Sequence, residues 1–298
     1  MLPNFIIAGN ARCGTTSLYY YLSQHPEADI PRKETFYFAR EFYKNIPNDG
    51  PPGYRDKSRI IYSEKEYDDF YKRCTRKAIG EVSTCFGYLH KSSVSLIKKK
   101  LGDVKIIFLL RNPVERAFSG YKHFVWLTYE TLSFEDAIEK ENERMKLNWD
   151  FMWHYVQLGF YAKQVKEFQN NFSNVKIILS EDFEQKTNSV MKEIFRFIGV
   201  DENFKCDTSF RYNFSDENKS TFKNILSENP VSEKIIKPFI KKMMPEKERM
   251  EWKHRLREPL PEKMKMNPET RQKLIGIYKS DILELEKMLE RDLNHWLR

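Results

Sequence analysis

The chain is poor in glycine, poor in cysteine and without a long apolar run, and each lack closes off a class of protein. Eleven glycines in 298 residues, with no internal repeat, exclude collagen-like and low-complexity chains. Four cysteines, Cys13, Cys74, Cys85 and Cys206, stand far apart and form no CxxC pair, which argues against both a disulfide framework and a zinc site. No apolar stretch approaches the ~18 residues of a membrane-spanning helix. The first apolar run begins at Phe5 and leaves no room for a leader, so the expectation is a soluble cytoplasmic protein with no membrane partner. Neither charge sign dominates: 51 basic and 43 acidic residues leave a net charge of +8. That balance suits anionic ligands, although a mixed, merely soluble surface accounts for most of the lysines equally well. The clusters Lys98-Lys99-Lys100 and Lys241-Lys242 are short and scattered, so no nucleic-acid partner is expected.

What is present is a core and an alternation of strand and helix. Residues that are 40% hydrophobic and 14% aromatic can fill a sizeable interior, and no glycine- or serine-rich linker divides residues 1–298, which read as a single domain. Apolar runs at 5–8, 78–82, 105–110 and 175–179 predict buried strands. Helical periodicity lies between them at about 15–24, 94–101, 114–129, 134–146 and 155–170. The expected fold is α/β: a P-loop-like parallel sheet flanked by helices, with a helical C-terminal region and ligands outside the carboxyl ends of the strands. Residues 43–59, rich in proline and glycine, read as a surface insertion. Residues 213–261 read as a solvated helical cap or, alternatively, a lid over a nucleotide. Asn267-Pro268-Glu269 has the form of a helix start, followed by a packing stripe of Leu274, Ile277, Tyr278, Ile282, Leu285 and Leu289.

The loop GNARCGTTS (Gly9 to Ser17) follows the first strand and leads into a helix. In that context backbone N–H groups and a helix N-terminus cradle phosphate oxygens. Gly9 and Gly14 fit the pattern GxxxxGK[ST], but Thr15 holds the lysine position and the nearest cation is Arg12. Cys13, inside the loop, reads as a small residue fitting a tight turn. The run 105–110 ends in Arg111, with Arg116 and Ser119 on the helix beyond. A triphosphatase would want a magnesium-holding aspartate there. A cation in its place points to a second anionic group on the ligand, and no metal is expected.

GNARCGTTSLYYYLSQHP, PRKETFYF and RNPVERAFSGY together resemble the sulfotransferases that use 3′-phosphoadenosine 5′-phosphosulfate (PAPS), in the branch that holds heparan sulfate sulfotransferases and many bacterial relatives. The similarity continues through LSFEDAIEKE (132–141), GFYAKQVKEF (159–168), VKIILSEDF (175–183), FRFIGVDENF (195–204) and the C-terminal KLIGIY…LEKMLERDLNHW, nearly the whole chain. It implies PAPS as co-substrate, its 5′-phosphosulfate held by Arg12, Cys13, Gly14, Thr15, Thr16 and Ser17, and its 3′-phosphate by Arg111 and Ser119. Arg12 then also relieves charge on the bridging oxygen. Glu34 is implied as general base. A carboxylate set against Phe36, Tyr37 and Phe38 is partly desolvated, which favours its taking up a proton; a structural pairing of Glu34 with Lys33 or Arg32 stays open.

Two departures from the branch stand out. It often has histidine where Phe36 lies, and its glycan enzymes often have lysine at Val82, leaving Ser83 as the next donor. Candidate acceptor contacts are therefore Lys33, Phe36, Ser83, His123, Trp126 and Trp153. The acceptor is expected to be a carbohydrate hydroxyl or a small metabolite, O- or N-sulfated. From other classes, a small-molecule kinase with a degenerate loop and a non-catalytic nucleotide-binding module remain open.

Overall fold

Five parallel strands form the sheet: β1 (Phe5–Gly9), β2 (Ala28–Asp29), β3 (Ala78–Val82), β4 (Lys105–Leu110) and β5 (Val175–Leu179), in the order β2-β3-β1-β4-β5. The structure is a computed structural model that describes residues 1–47, 57–209 and 264–298. The helical cap or lid expected at 213–261 and the middle of the insertion, 48–56, lie outside the described residues. β1 and β3 are buried at every residue, and β4 at all but Lys105. A strand covered by helices on both faces has no polar face to alternate with, which is why β1 and β4 read as nearly continuous apolar runs, while β3 is broken by the buried Glu81. Because β1 lies between β3 and β4, the loops leaving those three strands emerge side by side at one edge of the sheet.

Around the sheet lie α1 (Thr15–Ser23), α2 (Arg40–Lys44), α3 (Glu64–Tyr71), α4 (His90–Leu101), α5 (Pro113–Trp126), α6 (Phe134–Glu139), α7 (Glu141–Lys146), α8 (Ala162–Asn171), α9 (Ser180–Gln185), α10 (Thr187–Ile198) and a C-terminal helix, Pro268–Leu289. The α/β fold is the one expected. Local chemistry starts the two helices that matter most. Asn112 caps α5 by accepting from Val114 N at 3.0 Å, with Pro113 in the first turn. Asn267 caps the C-terminal helix by accepting from Glu269 N at 2.9 Å, with Pro268 in the first turn.

Three expectations need correction. The helix expected at 134–146 is two, α6 and α7, divided at Lys140. The helix expected from 155 begins at Ala162, because Asp281 of the C-terminal helix accepts from Tyr161 N at 2.7 Å and Ala162 N at 3.2 Å, fixing the start from 119 residues away. In the C-terminal stripe Ile277 is 40% exposed, while Ile275 and Asp281 turn inward instead. Among the described residues no helix is long and apolar enough to cross a membrane.

One interior histidine makes stability depend on pH. His154 is buried, with Nδ1 2.8 Å from the Tyr88 hydroxyl, and burial lowers its pKa from 6.5 to about 4. The unfolded chain therefore takes up a proton that the folded chain refuses. The resulting stabilisation is present above about 6.5 and is lost as pH falls toward about 4. Urea unfolding across this window is expected to show a shallower decline for His154→Gln than for the wild type; parallel curves would refute it.

Candidate functional site

The loop after β1 turns sharply into α1. Gly14, which precedes the helix, has φ 96°, a conformation that strains any residue with a Cβ. Arg12 is left-handed at φ 68° despite its side chain, at a cost of about 1–2 kcal/mol. Its Nε donates to Ser119 Oγ at 3.3 Å, joining the loop to α5. Cys13 faces inward: its carbonyl accepts from Ser180 Oγ at 2.8 Å, and burial pushes its thiol up to about 11. A thiol held protonated is a packing group and not a nucleophile. Thr15 and Ser17 are also buried. Arg111, at the end of β4, is half-buried, and its carbonyl accepts from the Tyr161 hydroxyl at 2.9 Å. Among the described residues its guanidinium makes no hydrogen bond or ion pair. Beside the loop lies a cleft lined by Gly14, Ser17, Tyr21, Ser180, Phe183 and Thr187.

A second segment, the one that follows β2, reaches the same edge alongside the end of β3. Lys33 pairs in parallel with Val82, and Glu34 N donates to Val82 O at 2.6 Å. Glu34 is left-handed, φ 66°, as is Phe36, φ 56°. Lys33 Nζ donates to Thr15 Oγ1 at 3.2 Å and Thr16 Oγ1 at 3.0 Å, and stands 3.9 Å from Glu34 Oε1. The Glu34 carboxylate accepts from Thr84 Oγ1 at 2.9 Å and from Thr84 N at 3.4 Å. The edge thus carries two linked groups, Ser119 with Arg12, and Thr15 and Thr16 with Lys33, Glu34 and Thr84, drawn from the segments that follow β1, β2, β3 and β4.

Beneath Glu34 lies a second carboxylate that sequence reasoning passed over. Glu81 is fully buried and accepts from Thr35 Oγ1 at 2.6 Å, Ser83 Oγ at 2.9 Å, Tyr67 OH at 3.3 Å and Tyr71 OH at 2.5 Å. Burial raises its carboxyl pKa, and the four hydroxyls act in the opposite direction. This cluster fixes the turn that presents Glu34, since Ser83 Oγ also accepts from Phe36 N at 3.3 Å.

The candidate acceptor contacts separate by burial. Ser83 is fully buried and spent on Glu81 and Phe36. Phe36 is buried with its ring 4.8 Å from that of Tyr43. Trp153 is buried against Phe124 at 4.6 Å, with the Arg144 guanidinium 4.7 Å over its ring. These three are interior residues, selected by type where burial decides. His123 and Trp126 are half-exposed on α5, their rings stacked at 6.1 Å. Thr84, the partner of Glu34, was missed in favour of Ser83. Strand alternation could have found it, because Val82 and Thr84 share a face that Glu81 and Ser83 do not. Among the described residues no group of three or more His, Cys, Asp and Glu side chains is placed to hold a metal.

Residues 2–279 match the family described as sulfotransferase domain. The membrane-associated sulfotransferase kil1 of Dictyostelium discoideum is 33% identical over 147 residues, 47% of this chain and 28% of that protein. Heparan sulfate glucosamine 3-O-sulfotransferase 3B1 of Mus musculus is 25% identical over 171 residues, 57% of this chain and 39% of that one. The chain therefore spans less than half the length of either of these relatives. A crystal structure of a sulfotransferase from Alicyclobacillus acidocaldarius superposes over the whole of both chains at 30% identity, with a TM-score of 0.77.

Proposed function

Because the chain belongs to the sulfotransferase family, we propose that it moves the sulfuryl group of PAPS to a hydroxyl or amine of a carbohydrate or small-molecule acceptor, with Glu34 as general base. The observation that carries this reading is the placement of Glu34. Its carboxylate, oriented by Thr84, lies 3.9 Å from a lysine that is itself hydrogen-bonded to the phosphate-type loop. Base and donor-binding loop so share one edge, which is the positioning that group transfer requires.

In the proposed step the acceptor oxygen or nitrogen bonds to sulfur as Glu34 takes its proton. The bond from sulfur to the bridging oxygen breaks, and its electron pair leaves with the 5′-phosphate of the desulfated nucleotide. Arg12 and the N–H groups of Gly14, Thr15 and Thr16 receive that charge. Arg111 is suited to the 3′-phosphate because its planar fork donates in pairs and, among the described residues, is committed to no other group. Similarity to a heparan sulfate sulfotransferase supports a carbohydrate acceptor. An acceptor screen with labelled PAPS, read by mass spectrometry, tests both the reaction and the acceptor class.

The two arginines are expected to fail differently. Arg111→Ala lowers affinity for PAPS and for its desulfated product alike, on the order of 10–100-fold, the share of a lost charge-assisted hydrogen bond. Arg12→Ala weakens product binding less and turnover more, since part of its interaction forms only as charge develops. Calorimetry with the desulfated product decides: equal losses in the two variants would sink this division of labour.

A further inference from the structure

We infer that Glu81 is a positioning residue for the reaction: its buried carboxylate holds the turn at 33–36 in the shape that presents Glu34; this rests on the sulfotransferase reading with Glu34 as base. Carboxylates are almost never fully buried unless something compensates them. Glu81 interrupts the apolar run of β3 and is fully buried. Desolvation there costs free energy and raises its carboxyl pKa. A valine or leucine at the same place would serve packing better. The four hydroxyls that donate to Glu81 show what the carboxylate does instead.

Two of those hydroxyls lie around the base. Each has one proton to give, and each gives it to Glu81 Oε1: Thr35 Oγ1 at 2.6 Å and Ser83 Oγ at 2.9 Å. With the protons so directed, the lone pairs of both hydroxyls are left for the backbone. Thr35 Oγ1 accepts from Tyr37 N at 3.3 Å, and Ser83 Oγ accepts from Phe36 N at 3.3 Å. Glu81 thus sets the direction of two hydroxyls and, through them, holds two successive N–H groups. Those groups belong to the turn in which Glu34 and Phe36 are both left-handed, at φ 66° and 56°. Non-glycine residues keep that strained conformation only where their surroundings impose it.

On its far side the carboxylate is anchored to α3, where Oε2 accepts from Tyr71 OH at 2.5 Å and Tyr67 OH at 3.3 Å. The chain leaving β3 runs straight on to Thr84, whose hydroxyl and N–H donate to the Glu34 carboxylate. One stretch, 81–84, therefore fixes both the turn that carries the base and the carboxylate at its tip. Glu81 is too deep to touch substrate. It acts through Glu34.

Two replacements separate the hydrogen bonds of Glu81 from its bulk. Glu81→Gln keeps one oxygen to accept from Thr35 and Ser83, and its amide can donate to the two tyrosine oxygens, so the turn should hold. Glu81→Met removes the acceptor and frees both hydroxyls to rotate. Hydrogen exchange should then show the amides of Phe36 and Tyr37 losing about 10-fold of their protection, while those of β1 and β4 change little. With labelled PAPS and the acceptor returned by the screen, Glu81→Met should lower turnover on the order of 10²-fold, the loss typical of a small misplacement. PAPS affinity should stay near that of the wild type, and Glu81→Gln should recover most of the turnover. In a Glu34→Gln background Glu81→Met should cost little further turnover, because the base it positions is already gone. If Glu81→Met does not fold, Thr35→Val and Ser83→Ala, which each cut one link, carry the same comparison. Unchanged protection of Phe36 and Tyr37, or an equal loss of turnover with and without the Glu34 carboxylate, overturns the inference. If Glu34→Gln alone keeps near-normal turnover, Glu34 is not the base and Glu81 falls with it. A wild-type protein that transfers no sulfuryl group refutes the sulfotransferase reading itself, whatever the exchange shows.

Discussion

Glu34→Gln is expected to lower turnover by on the order of 10²–10⁴-fold, the usual share of a general base, and to leave PAPS affinity near that of the wild type. The amide keeps the shape of the carboxylate and one oxygen to accept from Thr84, so the turn at 33–36 should persist. It cannot accept the acceptor's proton. The Glu34 carboxylate is held by Thr84 and is assigned to the acceptor's proton, not to the nucleotide, so PAPS binding should scarcely register the change. A structural glutamate behaves otherwise: its loss lowers melting temperature together with activity. Turnover, PAPS affinity and thermal stability measured on one preparation separate the cases. A stable Glu34→Gln protein with near-normal turnover would remove Glu34 from the mechanism and leave His123, half-exposed on α5, as the next group to test.

The parts of this site that were legible in sequence are those whose chemistry is local. β1 and β4 declare themselves because burial on both faces demands nearly uninterrupted apolar side chains, and β3 and β5 because their apolar residues outnumber the single charged one in each. The loop is legible because its two glycines and the strand and helix around it are contiguous. What was hidden depends on partners far along the chain. β2 is two residues long and exists only through its pairing with β3. The start of α8 is fixed by Asp281, and the ammonium of Lys33 reaches hydroxyls 17 and 18 residues earlier through a turn that no propensity announces. Trp153 and Ser83 were chosen by side-chain type. Their burial is a property of the packed interior, which a single sequence does not print.

Arg144→Met is expected to destabilise the fold by about 3–5 kcal/mol, the cost of leaving a buried charge without its partner. Arg144 Nη1 donates to Glu130 Oε2 at 2.6 Å and Nη2 to Oε1 at 3.1 Å, with side-chain exposures of 7% and 2% for the two residues. The Glu130 carboxylate also accepts from Tyr155 OH at 3.0 Å and from Thr131 N and Leu132 N at 3.1 Å. Methionine fills much of the space of the arginine stem yet leaves that carboxylate buried without a cation. The double variant Glu130→Gln, Arg144→Met removes the charge as well, and should recover a large part of the loss in urea unfolding. The same variants decide what the tryptophans do. The Arg144 guanidinium lies 4.7 Å over the ring of Trp153, which is buried and belongs to this interior cluster, and 5.2 Å over that of the half-buried Trp149. Assayed well below its melting temperature, Arg144→Met should therefore keep the acceptor KM of the wild type. A raised acceptor KM with undiminished stability would return Trp153 to the acceptor cleft and overturn its assignment to the core.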